Sequence, residues 1–229
     1  MHKILIGIPS IREDDKFCAS VDSLVKQMKG KYEVTVVWEK WQPLAKAQNR
    51  IASYFLSSDF DYLLFLDDDQ YGHTVEMVDA LVACNTYCAV MKTYVRHFPY
   101  PCALMVKHPD LPALHVGVEK DSGTQEVDMC GFPMMLIRRD LLPLLGEPYF
   151  QSRPSSDRKW VTDELFCERL KNLGIRPVGV FDYCLDHGDI TKDNITERRH
   201  NDAKTGGEKL QLKLFVGGMR LNVVGNHKE

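Results

Sequence analysis

Three aspartates in a row, Asp67, Asp68 and Asp69, close the apolar run LLFL at residues 63–66. Like charges at the end of a run that reads as buried need a physical reason. Side chains alternate along extended backbone, so Asp67 and Asp69 face one way while Asp68 faces the other. Two carboxylates held close together repel, and a neighbouring cation relieves that repulsion. Hard oxygen ligands suit Mg²⁺ or Mn²⁺, ions that commonly bridge protein carboxylates to substrate phosphates. The spacing therefore points to a metal and diphosphate site. From the tripeptide alone, a solvated loop whose aspartate caps the next helix competes with that reading.

Two more acidic residues, Asp163 and Glu164, open the segment DELFCERL, and His187 stands in CLDHGD. A carboxylate in the first turn of a helix is kept ionised by the helix dipole and the free amides. An ionised carboxylate can take a proton from a hydroxyl. An acidic residue is also simply favourable at a helix start. Imidazole suits Mn²⁺ well, whereas Cys184 with His187 lacks the second ligand pair that zinc requires.

These residues need a frame, and the chain supplies one by alternation. KILIGI (3–8) is a short apolar strand that stops at Pro9 and Ser10. Phe17, Val21, Leu24, Val25 and Met28 recur at helical spacing, and Gly30 ends that helix. EVTVVW (33–38) is a second strand, residues 44–56 a second helix and DYLLFL (61–66) a third strand. This β-α-β-α-β order predicts a mainly parallel α/β sheet flanked by helices. In such a sheet, ligands bind at the carboxyl ends of the strands, where the aspartates fall.

Thr74 is the expected N-cap of a helix reaching about residue 86. Residues 88–94, 113–118, 134–138 and 176–182 read as further strands, 210–216 as a strand with a helix as the alternative, and 98–112 as loop or edge. Thr162 is expected to cap a helix from 162 to 173 that lays Leu165, Phe166, Leu170 and Leu173 on one face, with Gly174 ending it.

The formal charge of -3 excludes a global positive field that would recruit nucleic acid or an anionic membrane. Residues 189–209 mix both charge signs and read as a solvated segment. No stretch approaches the roughly 18 apolar residues of a membrane span. The apolar run before Pro9 is too short for a signal-peptide core, so the expected location is cytoplasmic. Seven cysteines without a Cys-x-x-Cys pair are expected as reduced, mostly buried thiols.

The order of ILIGIPSIRE, LAKAQNRIASYF, LLFLDDD, GFPMMLIRRDLL and TDELFCERLKNLG resembles the nucleotide-sugar-dependent glycosyltransferases of the GT-A fold, family 2 type. The resemblance spans residues 3 to about 187. It implies a GT-A, Rossmann-like domain over 1–187, with 188–229 as a polar loop and C-terminal segment packed on it.

It further implies that Asp67-x-Asp69 is the donor motif: Asp67 lies near the ribose, and Asp69 binds the metal on the diphosphate. Asp68 goes with the donor-binding group. Pro9 and Ser10 match the nucleotide-binding loop, and Asn49 and Arg50 a segment close to the nucleotide. The second strand of the family ends in an acidic residue that holds the base; Trp38 stands at that place here and Glu39 follows it. Asp163 matches the catalytic base of inverting members, while Thr162 replaces the glutamate before it and leaves Glu164 as a rival. His187 matches a metal-ligating histidine. Cys130-Gly131-Phe132 lies under the donor sugar and acceptor, where glycine allows close approach, and Asp128 and Trp160 are candidates to contact sugar.

The function expected on this basis is metal-dependent, inverting transfer from a nucleoside-diphosphate sugar, UDP-linked foremost, with Mn²⁺ or Mg²⁺ as cofactor. The acceptor hydroxyl belongs to a glycan, a protein, a small molecule or a modified DNA base. A sugar nucleotidyltransferase or phosphohydrolase is the alternative enzyme, although the first loop lacks the Gly-rich, lysine-bearing cradle of a P-loop. A catalytically silent nucleotide-sugar-binding protein is the alternative outside enzymes.

Overall fold

The computed structural model describes residues 1–12, 14–95, 102–111, 114–154, 160–188, 194–195, 211–216 and 219–224. Its first half comprises β1 (Lys3–Ser10), α1 (Asp15–Met28), β2 (Glu33–Lys40), α2 (Leu44–Ser57), β3 (Tyr62–Leu66), β4 (Gln70–Tyr71), α3 (Val75–Ala83) and β5 (Cys88–Lys92). There follow β6 (Met105–Lys107), β7 (His115–Gly117), β8 (Thr124–Glu126), β9 (Met134–Arg138), α4 (Leu141–Leu145), β10 (Arg153–Pro154), β11 (Trp160–Val161), α5 (Asp163–Asn172) and β12 (Val178–Cys184). The chain continues through β13 (Asp186–Gly188), β14 (Asn194–Ile195), β15 (Gln211–Val216) and β16 (Met219–Val224).

A seven-stranded sheet runs in the order β2-β1-β3-β9-β5-β12-β8. β1 is parallel to β2 and β3, and β12 to β5. β9 runs against both its neighbours, and β8 runs against β12 at the edge. This is the mixed, mainly parallel, Rossmann-like α/β fold that the alternation predicts. The chain leaves β1 toward β2 and returns on the other side as β3, so the strand order reverses between β1 and β3. At that reversal a crevice opens beyond the strand ends, and both Ser10 and Asp67–Asp69 lie at it.

The period-two alternation of the strands sorts the core into two layers. Leu5, Leu63 and Phe65 pack with Ile51, Ala52 and Phe55 of α2 on one face. Ile4, Ile6, Ile8, Leu64 and Leu66 pack with α1 and α3 residues, including Phe17, Leu24, Met77 and Leu81, on the other. Each such Leu, Ile, Met or Phe side chain, fully buried, contributes about 1.5–3 kcal/mol. Three central strands apolar on both faces leave the functional residues nowhere to go but the strand ends.

Helix starts follow the expected chemistry at two places. Thr74 accepts from the Met77 amide at 3.4 Å, and Asp14, which the sequence reading passed over, accepts from Phe17 at 3.0 Å. Thr162 differs from expectation. It does hold the N-cap position before Asp163, but it is buried, has αR backbone and makes no side-chain capping bond. β1 also runs two residues past the expected stop, because Pro9 and Ser10 stay in register with Glu39 and Lys40 of β2. Pairing with β3 ends at Gly7, so Pro9 has a ladder partner on one side only, where a missing amide is tolerated.

The strand expected at 113–118 is shorter and pairs with β6 in a separate ribbon. Of the 188–229 segment, β14 joins β13, and β15 with β16 forms a hairpin. The rest of the mixed-charge run at 189–209 lies outside the described residues. All seven cysteines are free thiols. No helix among the described residues is long and apolar enough to cross a membrane.

Candidate functional site

β3 delivers the three aspartates, and their alternation is as expected. Asp67 and Asp69 line a cavity of about 390 Å³ at the strand ends. Asp68 turns to the β1 loop instead, where its Oδ2 accepts from Ser10 Oγ at 2.9 Å and from the Ile11 amide at 3.1 Å. Its Oδ1 meets Arg12 Nε at 3.1 Å. Asp68 therefore ties the loop after β1 to the end of β3, across the crevice.

Asp69 is held by a chain of contacts. Thr93 Oγ1 donates to Gln70 Oε1 at 3.0 Å, and Gln70 Nε2 faces Asp69 Oδ1 at 3.5 Å. Its Oδ2 lies 3.4 Å from His187 Nε2 and 3.6 Å from Arg12 Nη2. His187 arrives by a route the sequence did not reveal: the two-residue strand β4, directly after the aspartates, pairs with β13 and sets His187 opposite Gln70. The ring is oriented by Nδ1, 2.7 Å from the Tyr94 carbonyl. A carbonyl only accepts, so Nδ1 carries the proton and Nε2 is presented to Asp69.

Gly188 completes this clasp. Its amide donates to the Asp69 carbonyl at 2.7 Å. A Cβ there would lie 2.9 Å from the Tyr71 ring and 3.2 Å from the Asp69 carbonyl oxygen. Gly188→Ala is expected to push β13 off β4, cost about 1–3 kcal/mol from overpacking, and weaken any ligand held jointly by Asp69 and His187. Thermal melting together with Mn²⁺ titration checks this; unchanged values of both would contradict the clasp.

Asp163 and Glu164 line the same cavity from its other wall. Burial pushes the Asp163 carboxyl up to about 6, with a smaller push from Glu164, against the pull of its own backbone amide. This corrects the expectation that the helix start keeps Asp163 firmly ionised. Desolvation outweighs the dipole. The carboxyl of Glu164 is half exposed and lies 3.8 Å from Arg153, so the two acids differ in environment and Asp163 is the one poised near neutrality. A Cβ on Gly131 would sit 3.4 Å from Asp163 Oδ2, so the bare backbone of Cys130-Gly131-Phe132 lies directly beside this carboxylate.

The rest of DELFCERL positions Asp163. Phe166 packs with Phe132 and Phe150, ring centroids 5.1 and 5.3 Å away. Arg169 donates to the carbonyls of Pro148 and Tyr149, both at 2.6 Å, and to those of Leu145 and Gly146. It thereby satisfies the end of α4 and fixes the loop below α5. Arg169→Ala is expected to destabilise by about 2–4 kcal/mol, since four carbonyls lose a charged donor. Denaturant unfolding measures it, and a loss under about 0.5 kcal/mol, the ordinary surface range, would refute the role.

Other expected residues fall elsewhere. Glu39, Asn49 and Arg50 line a second cavity, of about 810 Å³, bounded also by Glu147, Pro148 and Tyr149. Arg50 Nε lies 3.5 Å from Glu39 Oε2. Asn49 spends its amide on backbone: Nδ2 donates to Ala45 and Phe150, and Oδ1 accepts from the Phe150 amide. Trp38 packs edge-on against Phe17. Asp128 accepts from the Lys107 amide at 2.8 Å and from Arg176 at 2.9 Å, contacts that pin it to the β6 strand and to the segment after α5. The side chain of Trp160 is outside the described residues. Arg12, Thr93 and Tyr94 went unread; only Arg12 left a signal, as the basic residue closing the IPSIR loop.

Asp69 and His187 offer an oxygen and an imidazole nitrogen, a donor pair that fits Mn²⁺ and tolerates Mg²⁺. Among the described residues no group of three or more His, Cys, Asp and Glu side chains could hold a metal ion. The pair thus suits an ion whose remaining ligands are phosphate oxygens and water, not a closed structural site.

No protein-family model matches the chain, and no curated protein matches it either. Among solved structures, the fold is similar to the crystal structure of A197 from STIV, with a TM-score of 0.57 and 20% sequence identity. The match covers 85% of this chain and 93% of that one. The similarity is one of fold.

Proposed function

We propose that the protein is a metal-dependent glycosyltransferase of GT-A type that moves a sugar from a nucleoside-diphosphate sugar to an acceptor hydroxyl with inversion. One observation carries the proposal: a carboxylate–imidazole pair at the end of β3 and a carboxyl poised at about 6 line one cavity of about 390 Å³. Asp69 and His187 would hold Mn²⁺ or Mg²⁺, which supplies charge neutralisation to the departing diphosphate. Asp67, half-buried and lining the same cavity, would meet the ribose, and the Ser10 loop the nucleotide.

Asp163 takes the proton of the acceptor hydroxyl as its oxygen attacks the anomeric carbon. The new carbon–oxygen bond forms, the bond from the sugar to the diphosphate breaks, and the electron pair leaves with the phosphate oxygen. At pH 7 most of Asp163 is ionised, yet its raised pKa makes it a stronger base than an exposed aspartate. Gly131 leaves room for the acceptor beside it.

Incubation with a panel of sugar nucleotides, Mn²⁺ and mixed acceptors tests the reading. Release of nucleoside diphosphate is expected. Release of pyrophosphate would indicate nucleotidyl transfer instead, and specific binding without turnover on any acceptor, water included, would indicate a silent binding protein.

A further inference from the structure

Two described side chains approach Asp69 Oδ2. His187 Nε2 lies 3.4 Å from it and Arg12 Nη2 lies 3.6 Å from it. A cation held by Asp69 and His187 would compete with the guanidinium for this carboxylate. Arg12 is not free to leave altogether. Its Nε is held at 3.1 Å by Asp68 Oδ1, and Asp68 is fixed in turn by Ser10 Oγ and the Ile11 amide. The Asp68 and Asp69 side chains are 10% and 9% exposed, whereas the Arg12 side chain is 40% exposed. The geometry is that of an arm hinged on Asp68, with its free end resting on Asp69 at the cavity edge.

We propose that Arg12 is the counter-charge of the metal-free site and a diphosphate-binding residue of the loaded one: the incoming metal displaces its Nη end from Asp69, and that end turns to the donor phosphates while Asp68 keeps hold of Nε. In the metal-free protein, Arg12 offsets the mutual repulsion of two buried carboxylates. Once the metal takes Asp69, the guanidinium faces an anionic ligand whose oxygens match its planar fork. The exchange also makes donor and metal bind together, because each relieves the cost the other meets. The inference shares the metal site of the function proposed above, and its diphosphate half rests also on the donor proposed there.

The test compares wild type with Arg12→Gln, which keeps a hydrogen-bonding group near Asp68, and Arg12→Lys, each shown to melt cooperatively. Mn²⁺ alone is titrated by the paramagnetic resonance of free Mn²⁺; UDP and GDP are then titrated at saturating Mn²⁺. Arg12→Gln is expected to bind Mn²⁺ about fivefold or more tighter, the low end of ordinary coupling, and to bind the diphosphates at least about tenfold more weakly. Arg12→Lys falls between. Unchanged or weaker Mn²⁺ binding in Arg12→Gln overturns the proposal, as does tighter Mn²⁺ binding with undiminished diphosphate affinity. If wild type binds Mn²⁺ and diphosphate and Arg12 alters neither, this inference fails while the glycosyltransferase reading stands. If neither wild type nor variant binds Mn²⁺, both fail.

Discussion

Asp163→Asn is expected to lower the rate of transfer by about 10²–10⁴-fold, the usual contribution of a positioned general base, and at the same time to raise thermal stability at pH 8. The wild-type rate should rise with pH along a limb with its midpoint near 6, the value to which burial pushes the carboxyl. The stability effect has a definite sign. The folded protein holds this proton more tightly than the unfolded chain, whose carboxyl titrates near 3.8.

The favourable contribution is therefore complete below about pH 4 and is lost as pH rises toward 6. Above that, the desolvated carboxylate costs about 3 kcal/mol by the conversion of pKa shift to free energy. Asparagine is isosteric and carries no such cost, so the variant should melt several degrees higher at pH 8 and lose that advantage at pH 4. Glu164→Gln, altering the more exposed acid, should leave the rate within a few fold. Equal melting temperatures at both pH values, or a dominant loss in Glu164→Gln, would move the base from Asp163 to its neighbour.

Asp69→Asn is the second large effect. The amide keeps the shape of the side chain, and with it the contact to Gln70, but it no longer offers an anionic oxygen to a cation. Loss of charge neutralisation on a departing diphosphate is worth several kcal/mol. The metal-dependent rate should fall by about three orders of magnitude or more. Melting should change little, because removing one carboxylate also relieves its repulsion with Asp68, offsetting the weakened Arg12 contact. Wild-type activity in this variant would sink the assignment of Asp69.

The fold was legible because its signals are local and redundant. Strands β1, β3 and β5 are apolar on both faces, and α1 carries its core residues at helical spacing. Asp67 and Asp69 were legible as a pair because alternation is a property of extended backbone. What escaped reading depends on pairings distant in sequence. Residues 70–71 and 186–188 are too short for any periodicity, yet their pairing is what brings His187 to Asp69.

Arg12 belongs to a loop whose path is set by Asp68, 56 residues further on, a contact invisible in either segment alone. The state of Asp163 was misread for a related reason. Sequence shows the helix start that favours the anion, whereas the desolvation that opposes it comes from the rest of the fold closing around α5. The Asp128 contact was hidden likewise, since its partner Arg176 lies on the far side of α5 in sequence.

The most direct measurement of the central claim is the melting temperature with a panel of sugar nucleotides, each with and without Mn²⁺. A ligand that binds only the native state stabilises it in proportion to the logarithm of its concentration over Kd. At least one nucleoside-diphosphate sugar is expected to raise the melting temperature with Mn²⁺ and to do so far less without it, and Asp69→Asn should erase the difference. No shift with any donor, or an equal shift with and without the metal, would contradict a metal-dependent donor site at the end of β3.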